Sequence, residues 1–232
     1  MTPRAKPVSS FLSASPHARA LAQLDLGFGR SATIWRNRDD HVTYEAPDGH
    51  TFSFYLRGGT GTWRTDGTPT HGWPGAVCVM PQGQTSVWDI KAPFVFVHLY
   101  IPDADLRRSF AESFDRDARM LELVDQTYVD AQELAAPFNR LVLGLQQDDA
   151  ALANDATTDL VGKVPSTDRF GAPRTAVLSG GLSQRKARHL REFIEANLDQ
   201  AIYLRDLAGL VELSEFHLQR SFRQSCGVSP QA

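Results

Sequence analysis

The chain has 232 residues, Lys+Arg 24 against Asp+Glu 27 for a formal charge of −3, and 42% hydrophobic with 22% charged residues, close to the averages of soluble globular proteins. That length suits one large domain or two small ones, and the charge balance excludes a wholly basic coat for nucleic acid while leaving room for a local basic face. No apolar run nears the ~20 residues that cross a bilayer, the N-terminus lacks the apolar stretch of a secretory signal, and Cys78 and Cys226 are too few for a disulfide framework or a four-thiolate zinc site. A cytoplasmic chain is expected, with each cysteine a small buried hydrophobe.

In chain order, the first texture runs from about Thr33 to Ile101. Short alternating apolar runs at 51–57, 76–80, 86–90 and 94–100 are separated by turns rich in glycine and proline. Period two predicts strands, and their close spacing predicts an antiparallel sandwich or small barrel. Gly27 and Gly29 read as hairpin glycines. From Pro102 the period becomes helical. A short helix is predicted over 103–113, and one over 130–147 places Leu134, Phe138, Leu141 and Leu145 on one apolar face, to lie against the sheet or a partner subunit. A further helix is predicted to end before Pro165.

Residues 165–184 carry eight Gly, Pro or Ser in twenty and no apolar period, the composition of a linker. The expected division is therefore 1–164, a linker at 165–184, and 185–232. Beyond the linker, Ser183 caps a helix with Leu190, Phe193, Ile194 and Leu198 as its stripe. A short helix over 203–211 turns inward on Leu204, Leu207, Ala208 and Val211. A tight turn at 212–214 leads to a second helix capped by Ser214 and stopped by Gly227. Two short helices about a tight turn outline a helix-turn-helix.

On that second helix Leu218 and Phe222, four apart, point into the core and leave Glu215, Phe216, Gln219, Arg220 and Arg223 on the opposite side. Arg can bond guanine, Gln can bond adenine, and an aromatic edge suits a thymine methyl. Seven Lys or Arg against six Asp or Glu over 185–232 make no basic patch, so composition alone leaves DNA binding open.

The runs 181–198, Leu204-Arg205-Asp206-Leu207-Ala208 and 213–230 resemble the first half of the DNA-binding region of AraC/XylS-type transcriptional regulators, over about fifty residues. The resemblance implies double-stranded promoter DNA as partner. It covers one helix-turn-helix; the second, expected past Ala232, is absent from the sequence. At the turn, where the family usually has glycine, stands Glu212. Such regulators commonly carry an N-terminal cupin barrel for a small-molecule effector, and Gly75, Pro81 and Gly83 fit the second cupin motif. The resemblance thus implies an α+β protein: a cupin-like antiparallel β-barrel with following helices, then a small all-α helix-turn-helix subdomain.

The cupin metal ligands are not matched. Ser86 stands where the second motif has a histidine, and the first motif offers only His50, so no metal and no other cofactor is expected and a cupin enzyme loses its chemistry. Counting by twos from Ser86 turns Trp88 and Ile90 inward, and His98 shares a face with Phe96 and Tyr100. The expected effector pocket comprises Tyr55, Arg57, Trp63, Ser86, Trp88, Phe96 and His98. The expected homodimer uses the barrel with Leu134, Phe138, Leu141 and Leu145. The alternative function is a ligand-binding, dimerising protein without useful DNA binding.

Overall fold

The computed structural model describes residues 5–164, 170 and 180–230. It is an α+β structure in which contacts define two compact units, each assembled from two stretches: Met1–Asp103 with Leu123–Gly171, and Ala104–Glu122 with Ala172–Ala232. Residues 104–122, expected in the N-terminal domain, thus group with the C-terminal helices. Within the expected linker, Phe170 is buried and its carbonyl accepts the Val124 N–H at 2.9 Å. The rest of that linker up to residue 179 lies outside the described residues.

The first unit opens with a short helix α1 (Val8–Ala14), whose Val8 and Leu12 enter the core. Nine strands follow: β1 (Arg19–Gly27), β2 (Arg30–Asn37), β3 (Asp40–Tyr44), β4 (His50–Arg57), β5 (Thr62–Arg64), β6 (Ala76–Met80), β7 (Ser86–Ile90), β8 (Phe94–Ile101) and, after an excursion, β9 (Gln126–Asp130). They form a six-stranded sheet in the order β1-β2-β8-β4-β6-β9 and a three-stranded sheet β3-β7-β5. All pairings are antiparallel. The two sheets share one core and do not close into a barrel, which corrects the barrel expectation.

The β1-β2 hairpin turns on Phe28 and Gly29, both at positive φ (52° and 76°), between the paired Gly27 and Arg30. Two left-handed residues twist the chain in the sense that adjoining strands require. The larger sheet is covered on both faces, which explains why β4 and β6 are almost continuously buried. Ser53, Tyr55, Cys78 and Met80 face the smaller sheet, whereas Phe54 stacks on Phe138 at 5.0 Å on the other side.

Phe138 belongs to α3 (Gln132–Gln147), which pairs with α4 (Ala150–Lys163). The two helices approach so closely that a Cβ on Gly144 would lie 2.9 Å from the Ala153 nitrogen. Leu134, Phe138, Leu141 and Leu145 are all buried within the protomer. They fill the core between helix and sheet, so the dimer face assigned to them from sequence is corrected: a packed core side chain has no surface to offer a partner.

The second unit comprises α2 (Asp103–Phe114), a 3-10 turn at Ala118–Met120, α5 (Gln184–Ala196), α6 (Leu204–Leu210) and α7 (Glu215–Cys226). Its core is Leu182, Leu190, Leu207, Ala208, Val211 and Leu218. The Ser183 hydroxyl caps α5, and α7 runs from a Ser214 cap to Gly227 at φ 81°. Leu198 leaves the expected stripe and is 74% exposed, because α5 ends at Ala196. No helix among the described residues is long and apolar enough to cross a membrane.

The turn between α6 and α7 is a Schellman motif: Leu213 N–H bonds the Ala208 carbonyl at 3.0 Å and Glu212 N–H bonds the Gly209 carbonyl at 3.3 Å. That geometry needs a left-handed residue, and Glu212 supplies it at φ 53°. A side chain there costs about 1–2 kcal/mol against glycine, partly offset by the entropy that glycine loses on folding. Glu212→Gly is expected to stabilise the second unit by about 0.5–1 kcal/mol, measured by denaturant unfolding. An unchanged or lowered midpoint would show that this position is unstrained.

Candidate functional site

Two places gather chemistry, one in each unit. In the first, the space between the sheets is lined by Asn37, Tyr44, Ser53, Tyr55, Cys78, Met80, Trp88, Ile90, Phe94, Phe96 and His98. Its volume of about 20 Å³ is room for roughly one water molecule. Aromatic rings dominate the walls: Phe94 stacks on Phe96 at 4.5 Å, and Tyr55 meets Phe94 at 5.1 Å.

Of the seven residues expected here, Tyr55, Trp88, Phe96 and His98 line the space. Ser86 is buried but not among the lining residues, its hydroxyl accepting the Trp88 Nε1–H at 2.9 Å. Trp63 and Arg57 are corrected. Trp63, half-buried on β5, packs on His71 at 5.3 Å. Arg57 is exposed because the register slips between Tyr55 and Arg57, so period two no longer holds across Leu56. It borders an outer groove with Leu21, Ile34 and Val142. Sequence reasoning missed Ser53 and Met80, although counting back by twos from Tyr55 reaches Ser53. No local signal marks Asn37 or Tyr44.

His98 is held by a relay. Trp35 Nε1–H donates to the Tyr100 hydroxyl at 2.8 Å, and that hydroxyl stands 3.2 Å from His98 Nδ1, with its own proton to offer. Burial pushes the His98 pKa down to about 3. Burial likewise raises the Cys78 thiol to about 12 and lifts Tyr44 and Tyr55 well above the usual phenol range. Every ionisable group lining the space is therefore neutral at pH 7.

A pH dependence follows. Folded His98 takes up a proton only below about pH 3, whereas the free imidazole does so near 6.5. Between those values the unfolded chain binds the extra proton, so acidification favours unfolding by about 1.4 kcal/mol per pH unit. Urea midpoints should fall from pH 6 to pH 4 more steeply in wild type than in His98→Leu. Equal slopes would mean that His98 is solvated.

His50, the lone histidine of the first motif, is tied elsewhere. Its Nδ1 accepts the Gln82 N–H at 3.0 Å, so its Nε2–H faces Asp103 Oδ1, also at 3.0 Å. Among the described residues no three His, Cys, Asp or Glu side chains converge as metal ligands.

In the second unit α7 presents the expected face. Leu218 is fully buried, while Glu215, Phe216, Arg220 and Arg223 are exposed and Gln219 is half-buried. Phe216 is 69% exposed, unusual for a large apolar side chain. Lys186 Nζ steadies the turn by bonding the Val211 carbonyl at 2.6 Å.

A second set of contacts fixes α7 from behind, and sequence reading missed it. The Ser225 hydroxyl donates to Asp117 Oδ2 at 2.9 Å and accepts the Leu182 N–H at 2.8 Å. Asp115, at φ 48° just past α2, receives Arg188 at 3.0 Å and Arg191 at 3.1 Å on its two carboxylate oxygens. Its carbonyl accepts Gln184 Nε2 at 3.1 Å. No pattern within residues 104–122 announces such partners, which lie more than sixty positions away in sequence.

No family model matches the chain, nor does any curated protein. Among solved structures it is similar to the AraC-like transcriptional activator CuxR, at 14% identity and a TM-score of 0.43 over 91% of this chain and 76% of that one. It is also similar to a cupin domain from Bordetella pertussis, at 16% identity and a TM-score of 0.30, covering 37% of this chain and 94% of that one. A Klebsiella pneumoniae protein with a double-stranded β-helix domain is similar at 17% identity and a TM-score of 0.31, over 43% of this chain and 90% of that one.

Proposed function

We propose that the chain is a transcriptional regulator of the AraC/XylS type, in which α7 reads the major groove of promoter DNA and the β-sandwich senses a small molecule. The observation that carries this reading is the pair α6 and α7 about a Schellman turn, with Leu218 buried and the polar face of α7 left to solvent. On that face Arg220 and Arg223 suit guanine, Gln219 suits adenine, and Phe216 suits a thymine methyl. The sequence resemblance over 181–230 supports the same assignment.

Arg220→Ala is expected to cost about 1–3 kcal/mol on a specific site and to relax the preference at one base pair, with folding unchanged. Fluorescence anisotropy on the DNA upstream of the chain's own coding sequence reads this out. A folded variant that binds as wild type does would remove α7 from the reading role.

One observation favours a second reading. Arg188 and Arg191 are engaged by Asp115, which draws two of the second unit's basic side chains away from phosphates. On that reading the chain is a ligand-binding protein without useful DNA affinity. Anisotropy that stays flat on specific and random duplexes at low salt would select it.

A further inference from the structure

The cavity between the sheets has a definite chemical character. Among the described residues no charged side chain lines it. The Arg64 guanidinium, over the Trp88 ring at 5.9 Å, is not among the lining groups and is held by Asp66 and Asp125. Arg57 is on the surface. An anion entering this space would meet no counter-charge, and an unpaired buried charge is strongly disfavoured.

One lining group lacks a partner. The Ser53 hydroxyl is 98% removed from solvent, since only 2% of the residue is exposed, and its oxygen makes no hydrogen bond. Ser53 sits mid-strand on β4, paired with His98 on β8 and Cys78 on β6, so its side chain stands between those two in the wall. Natural interiors rarely leave such a group unsatisfied. Around it the walls are ring faces and edges from Tyr55, Trp88, Phe94 and Phe96, the surroundings that favour a flat ring over a flexible chain.

We propose that this cavity takes a small uncharged compound of one ring, anchored by a single hydrogen bond to the Ser53 hydroxyl, and that it rejects carboxylates of the same shape. The proposal rests on the sensor reading above and names its ligand class. The space as it stands holds about one water, so a ring enters only as the wall gives way. Met80 is the lining side chain best suited to yield, being unbranched and rotatable about three bonds.

Benzamide and benzoate share size and shape and differ in charge, so they serve as probes for the full chain, read by tryptophan fluorescence and by calorimetry. Benzamide is expected to bind at least about tenfold more tightly than benzoate. Ser53→Ala should weaken benzamide about tenfold, the worth of one buried hydrogen bond, and leave toluene binding unchanged. Benzoate binding as well as benzamide, no binding of benzamide at all, or benzamide affinity indifferent to Ser53→Ala would each overturn the proposal. Should Ser53→Ala misfold, Ser53→Cys, of similar volume and with a weaker donor, should show the same ordering of benzamide and toluene. The sensor reading fails separately: benzamide would then bind as expected and leave anisotropy on upstream DNA unchanged.

Discussion

Replacing Phe138 with alanine is expected to destabilise the sandwich unit by about 3–5 kcal/mol. Phe138 is fully buried and stacks on Phe54 nearly face to face, with 5° between the ring planes. Its removal leaves a cavity that α3 cannot close, because α3 is fixed against α4 by the contact at Gly144. The loss should be the same at micromolar and at tenfold higher protein concentration, since the side chain contacts only its own protomer. Were Phe138 instead at a dimer interface, dilution would widen the gap between the wild-type and variant melting temperatures. A gap that widens on dilution would restore the interface assignment.

Leu218→Ala is expected to cost about 2–5 kcal/mol in the second unit. Leu218 is fully buried at the centre of a cluster that contains only six buried residues, so the loss is a large fraction of what so small a core supplies. Limited trypsin digestion should then cut within α5 to α7 at native temperature and leave the sandwich strands intact. On the proposed DNA-reading role of α7, binding should then be lost at all salt concentrations, unlike the selective loss expected for Arg220→Ala. A Leu218→Ala protein whose α7 stays protected would mean that the helix is held chiefly from behind, through Ser225 and Asp117.

What could be read from the sequence was whatever rests on near neighbours. The limits of β6 and β7, the caps Ser183 and Ser214, the stop at Gly227 and the positive φ at Glu212 depend on residues within a few positions. β1 was not legible: its alternation is carried by Ala and Leu, which favour strands weakly, and it lies at the sheet edge with its side chains mostly exposed. β9 was hidden by a bulge. Thr127 and Tyr128 together oppose Cys78, and Tyr128 takes φ 56° so that its N–H reaches the Cys78 sulfur at 3.4 Å. In the pocket, period two succeeded for His98 with Phe96 and failed at Arg57, where the register slips. Burial of the α3 face could be read, but not what buries it, because an apolar stripe fits its own sheet and a second chain equally well.

The grouping of residues 104–122 with the C-terminal helices has a consequence for synthesis. Asp115 and Asp117, just past α2, are bound in the finished protein by Gln184, Arg188, Arg191 and Ser225, and the last helix of the unit ends only at Cys226. Roughly 100 residues must be translated before α7 is complete, about 5–20 s at ordinary elongation rates. Throughout that interval Asp115 and Asp117 wait on the ribosome without Gln184, Arg188, Arg191 and Ser225, while the sandwich, whose last strand and two covering helices arrive sooner, can already form. The nascent chain is therefore open to proteases around residues 115–117 during that interval, and slowing translation beyond Lys163 should lengthen the exposure.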